Sequence, residues 1–87
     1  FVSVYAVVET MTGTILAGPH IQARGVAEDD SVFEEILPDV TEALSAALET
    51  GKADAYSLQQ VMRRTLGRWI GRRLKRRPMI VPVVIEA

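Results

Sequence analysis

Val2, Val4, Ala6 and Val8 occupy alternate positions at the head of the chain, and only an extended strand gathers all four on one face. The intervening positions, Phe1, Ser3, Tyr5, Val7 and Glu9, make a second face that is mixed rather than polar. A strand with two usable faces predicts a central place in a sheet. Thr12-Gly13 is a turn signal and Thr14 to Ile21 resumes an extended pattern, so a hairpin is expected. Gly18-Pro19 interrupts its second arm and predicts a bulge or an edge, because proline cannot donate to a ladder. The far end of the chain, Pro78-Met79-Ile80-Val81-Pro82-Val83-Val84-Ile85, reads as a third strand that is apolar on both faces. Met79, Val81, Val83 and Ile85 fall on one side of it, and Ile80, Pro82 and Val84 on the other. Pro82 predicts an edge position here too.

Between the hairpin and this last strand the period changes. After a loop over Gly25 to Asp30, either Asp30 or Ser31 is placed to cap a helix, and Ser31 with Glu34 fits a capping box. Phe33, Leu37, Val40, Leu44 and Leu48 then recur at spacings of three and four as far as Thr50. Pro38 inside that span removes one intrahelical bond, so it either kinks the helix or opens a second segment. Gly51 suits the left-handed position that ends a helix. A second helix is predicted from Ala55 or Ser57 to Arg73, burying Leu58, Val61, Met62, Thr65, Leu66, Trp69 and Ile70. The order β-β-α-α-β gives an α+β fold: a two-layer sandwich with a three-stranded sheet and both helices on one face.

With 87 residues, 48% of them apolar and no cysteine, the chain forms one small domain that neither a disulfide nor a thiolate metal site braces. No apolar run approaches the roughly 20 residues of a membrane span, so no membrane role is expected. The opening Phe1-Val2-Ser3-Val4-Tyr5 lacks a basic leader region and already lies within a strand pattern. That start, without methionine, suggests a piece of a longer protein.

The net charge of −1 conceals a segregation: residues 1–54 carry −8 and residues 55–87 carry +7. Such blocks imply an anionic partner for the basic half, two halves that neutralise each other, or a solvated face. Arg64, Arg68 and Arg72 recur every four residues along the second helix, and Arg63, Arg73, Lys75, Arg76 and Arg77 widen the basic zone. Guanidinium forks in a row suit successive phosphates. Yet Glu34, Glu35, Asp39, Glu42 and Glu49 on the preceding helix offer acids for the same arginines. Exposed aromatic platforms of the kind that stack bases are missing from the ridge, since Trp69 falls on the apolar face. Arginine outnumbers lysine eight to two and asparagine is absent, so part of the arginine content reflects codon usage.

A catalytic apparatus is not legible. His20 is the only histidine, and Glu28-Asp29-Asp30 precedes a helix, where acids serve capping and the helix dipole. GxGxxG and P-loop patterns are absent, and no serine has a histidine and an acid arranged around it. Gly67-x-x-x-Gly71 predicts a close approach by a neighbouring element.

Arg76-Arg77-Pro78-Met79-Ile80-Val81-Pro82-Val83-Val84-Ile85-Glu86, preceded by Leu66-Gly67-Arg68-Trp69, resembles the extreme C-terminus of the ribonuclease J family of bacterial RNA-processing and RNA-degrading nucleases. Two basic residues, Pro-Met-Ile, a second proline three residues after Met79, an apolar run and a glutamate carry the resemblance. Two strands and two helices ahead of them fit that family's small C-terminal domain, so the likeness spans residues 1–87. It implies a cytoplasmic parent hydrolase with a metallo-β-lactamase domain, a β-CASP insertion and a dinuclear zinc centre that cleaves RNA phosphodiesters by activated water. None of those motifs stands in this sequence, and no catalytic residue is carried over.

The resemblance thus implies a non-catalytic appended domain that serves subunit association and RNA positioning, with zinc held by the parent's catalytic domain alone. Its expected partners are the parent nuclease domains, a further copy in a homo-oligomer, and RNA. The residues for RNA would be Arg64, Arg68, Arg72, Lys75 and Arg76; those for an interface, Tyr5, Ile80, Val81, Val83 and Val84. An independent RNA-binding module working through its basic helix is the alternative. Two helices cover one side of a three-stranded sheet, so a contiguous apolar surface is expected on the other side.

Overall fold

In the computed structural model, which describes residues 1–87, the first strand is the centre of the sheet. The strands β1 (Val2–Glu9), β2 (Thr14–Ala23) and β3 (Ile80–Glu86) are ordered β2-β1-β3. The hairpin pairs β1 with β2 antiparallel, and the chain returns after two helices to lay β3 parallel to β1. Val2, Val4, Ala6 and Val8 are all fully buried, so the period-two pattern places the whole even face of β1 against the helices. This is the α+β sandwich that the order of elements predicts.

The helices are α1 (Leu37–Glu49) and α2 (Ala55–Arg73). Helix α1 lies over β2 and α2 over β3, so the pair straddles the central strand. Pro38 resolves in favour of two segments. A 3₁₀ stretch, Asp30–Glu35, precedes α1, and Pro38 sits in the first turn of α1, where a missing N–H costs no bond. The cap of the 3₁₀ stretch is Asp29, whose carboxylate accepts the Ser31 N–H at 2.9 Å; neither Asp30 nor Ser31 caps it. A 3₁₀ turn repeats every three residues. Ile36, three after Phe33, is therefore the buried neighbour, and Leu37 is only half-buried.

Gly51 follows the end of α1 with a φ of 70°, the left-handed position foreseen for it. Asp54 then caps α2 in a reciprocal box: its carboxylate accepts the Ser57 N–H at 2.8 Å, and its own N–H donates to the Ser57 hydroxyl at 3.0 Å. The Ser57 N–H, and secondarily the Ser57 side chain, hold the Asp54 carboxyl below its ordinary value. A depressed carboxyl stabilises the fold above its unfolded value, so the cap is in force at neutral pH and fades as pH falls through the lowered folded value.

Seventeen buried apolar residues form one core, with Leu44, Leu58, Met62, Leu66 and Ile70 its largest fully buried members. Val61 and Thr65, which the helical pattern also assigns to it, are half-buried at its margin. Phe33 and Trp69 tie the 3₁₀ stretch to α2 with ring centroids 5.3 Å apart and planes tilted by 58°.

Both outer strands are interrupted. In β2 the register against β1 shifts between Tyr5 and Val7, at Gly18-Pro19, and again between Val7 and Val8, at Leu16. In β3 the alternation of bonding directions follows from its end bonds to β1: Val2 N–H donates to Met79 and Ala87 N–H to Val8. The odd residues therefore bond β1, and the even ones point their backbone groups outward. Pro82 has no N–H to present at that edge. The Val84 N–H is occupied by Gln59 Oε1 of α2 at 3.0 Å.

A basic groove and an open sheet face

Helix α2 and the segment 76–80 that feeds β3 enclose an open groove of about 840 Å³. The floor is built by absence of side chains. Gly67 lets Ile80 pack closely, since a Cβ there would lie 3.3 Å from Ile80 Cδ1, whereas a Cβ at Gly71 would meet nothing within 4 Å. The small-residue spacing thus does admit a neighbouring element at its first glycine and leaves bare surface at its second. Arg63, Arg68 and Arg72 stand beside that strip on α2, and Lys75, Arg76 and Arg77 close it from the connecting segment. No acidic residue lines it.

Four of the five residues expected to meet RNA, namely Arg68, Arg72, Lys75 and Arg76, come together here; Arg64 is exposed outside the groove. Arg63 and Arg77, which the fourfold spacing passes over, belong to it. A second concavity of about 410 Å³ shares Lys75, Arg76, Arg77 and Pro78 and adds Arg24 and Phe1. The basic surface therefore continues past the end of α2 toward the loop after β2.

The acids of the first half do not neutralise this surface. One ion pair crosses between the helical segments: Arg73 Nη2 to Glu35 Oε2 at 3.2 Å, with Arg73 Nε on the other carboxylate oxygen at 3.2 Å. The Glu35 hydrogen bonds, and then its charge, raise the Arg73 guanidinium further above its ordinary value. Both side chains remain half-exposed, so the pair contributes little to stability. Charge is therefore segregated in space as well as along the sequence.

Lys75 sits at the turn out of α2 with a φ of 57°, the only non-glycine residue in the left-handed region. That conformation costs an ordinary residue about 1–2 kcal/mol, and glycine gives back about 0.5–1 kcal/mol of it through its freer unfolded chain. Lys75→Gly is expected to raise stability by about 0.5 kcal/mol, a gain of a few degrees in Tm for a domain of this size. A thermal melt measures it, and a fall in Tm would show that the lysine side chain itself holds the turn.

On the far side of the sheet, away from both helices, β3 presents Val81, Val83 and Ile85 beside Tyr5 and Val7 of β1. Phe1, Tyr5, Met79, Val81, Val83 and Ile85 are between 37% and 73% exposed. Tyr5 packs against its cross-strand partner His20 with centroids 5.0 Å apart and planes tilted by 40°. Of the five residues expected at an interface, Tyr5, Val81 and Val83 lie on this open face. Val84, 7% exposed, and the half-buried Ile80 turn instead toward the helices, because they share parity with Pro82.

No three His, Cys, Asp or Glu side chains converge, so the residues present do not fit the dinuclear zinc centre that the resemblance implies for a catalytic domain. No helix is long and apolar enough to cross a membrane.

These features define a small α+β module with two distinct surfaces, one cationic and concave, the other an exposed apolar sheet face. The chain matches the family described as the ribonuclease J C-terminal domain over residues 1–87, and it belongs to that family. Ribonuclease J of Mycobacterium tuberculosis is 41% identical to it over 86 residues, 99% of this chain and 15% of the relative. Ribonuclease J of Mycolicibacterium smegmatis is 38% identical with the same coverage. Ribonuclease J 2 of Staphylococcus aureus is 36% identical over 75 residues, 83% of this chain and 14% of that protein. The chain thus spans about one seventh of the length of these relatives.

Proposed function

We propose that this chain is the non-catalytic C-terminal domain of a ribonuclease J, that it joins subunits through its open sheet face, and that its basic groove, on the helix side, is left free to position RNA. The carrying observation for association is the exposed row Tyr5, Val81, Val83 and Ile85. Contiguous exposed apolar surface on a soluble domain usually marks an interface.

The occupant we assign to it is the same face of a second subunit. The row carries no formal charge, so stacking like on like sets no equal charges against each other, and two-fold pairing is the commonest closed arrangement. Parent nuclease domains are the competing occupant, and RNA, as the substrate of such an enzyme, is the expected ligand of the other side.

Sedimentation equilibrium of the chain tests the assignment. The expected result is a concentration-dependent dimer that Val83→Asp converts to a monomer without loss of helical circular dichroism. A native chain that stays monomeric at high concentration would overturn self-association.

A further inference from the structure

We infer that the groove between α2 and residues 76–80 binds the phosphodiester backbone of single-stranded RNA without reading its bases. The inference rests on the chain's being part of an RNA-processing enzyme, but not on the open face being an interface.

Recognition of phosphates follows from the lining. Six cations, Arg63, Arg68, Arg72, Lys75, Arg76 and Arg77, face one concavity with no acid among them. Of the basic residues in this half of the chain, Arg73 alone is tied up in an ion pair. Arg68 and Arg72 are one turn apart on α2, a rise of about 6 Å. That is of the order of the separation between successive phosphates on one strand, and guanidinium forks meet phosphate oxygens two at a time.

Insensitivity to bases follows from what the groove lacks. No aromatic side chain lines it, and the exposed ring of Phe1 lies in the adjoining concavity instead. Base-specific and stacking readers of single strands need such rings. An open groove of about 840 Å³ between a helix and the segment packed beside it has room for one backbone. Gly71 matters to that fit, because bare backbone lets the strand approach between the arginines.

Fluorescence anisotropy of the chain with labelled oligouridine and oligoadenosine at low salt is the test. Both should bind alike and weakly, with affinity falling steeply with salt. The logarithmic slope should approach about −4 if all six cations engage phosphates, at about −0.7 for each. Arg68→Ala and Arg72→Ala should each weaken binding about three- to tenfold. Arg64→Ala, just outside the groove, should change it less than about twofold, since a screened charge alone remains to be lost. Lys75→Gly should weaken binding while Tm does not fall, which separates a lost ligand contact from a lost fold.

An equal loss from Arg64→Ala would reduce the effect to overall charge and overturn the groove. Equal affinity for a duplex, or for polyglutamate of matched charge, would overturn its assignment to single-stranded RNA. Val83→Asp keeps the two surfaces distinguishable: a monomeric variant that retains RNA affinity supports the groove whatever becomes of the interface.

Discussion

Gly18→Ala is expected to cost about 3 kcal/mol, lowering Tm by roughly 12–24 °C in a domain of this size. Two effects add. Gly18 has a φ of 79°, which an L side chain adopts only under strain. The new Cβ would also lie 2.7 Å from the Tyr5 carbonyl oxygen and 3.3 Å from the Ala6 Cα. Those atoms belong to the backbone of the central strand, held by β3 on its other side, so they cannot swing aside as a flexible side chain would. Total stability for 87 residues is of the order of 4–13 kcal/mol, so this substitution removes a large share of it. Urea titration of the two proteins measures the difference, and a loss below about 1 kcal/mol would mean that β2 shifts to make room.

Leu66→Ala is the second large effect, at about 3–4 kcal/mol. Leu66 is fully buried on the face of α2 that meets the sheet, one turn from the fully buried Met62 and Ile70. Collapse into the vacated space is restricted: those neighbours are fixed to the same helix, and the β3 strand that α2 packs against is held by its ladder to β1. The cost therefore includes most of the cavity as well as the lost transfer energy. Equilibrium unfolding in urea gives the value, and an unchanged slope on denaturant would assign it to the native state. A cost below about 1.5 kcal/mol would place Leu66 in a core that repacks freely.

The central strand was legible because its even positions are apolar without exception, and the outer strands because prolines punctuate them. All four even positions of β1 are buried, and Pro82 in β3 and Gly18-Pro19 in β2 mark the two edges that the topology shows. The start of the helical layer was less legible. Reading Phe33 to Leu37 with an α-helical period misses Ile36, because the chain begins there with a 3₁₀ turn. That choice is local: Asp29, Asp30 and Ser31 can each cap, and backbone geometry decides between them.

The groove was half legible. Counting by fours from Arg64 finds Arg68 and Arg72 but follows a ridge on one helix, and a groove needs a second wall. Residues 76–80 supply that wall, and only tertiary packing brings them beside α2. A usable signal was present in Gly67 and Gly71, which define a bare strip whose flanks are Arg63, Arg68 and Arg72. Charge pairing across the helices was not legible, because acids and bases in sequence blocks specify no facing rotation. A single pair, Glu35 with Arg73, is realised.

The outer border of β3 has a consequence for how large an assembly can become. Strand-by-strand growth needs a row of free donors, and at that border Pro82 supplies none while Gln59 occupies the one on Val84. Away from that border, the side of the sheet opposite α1 and α2 lies uncovered. In the pairing proposed through that face, a contact made there consumes the means of making another there. Stacking through it stops at a pair, whereas addition along a free strand border would propagate as a filament.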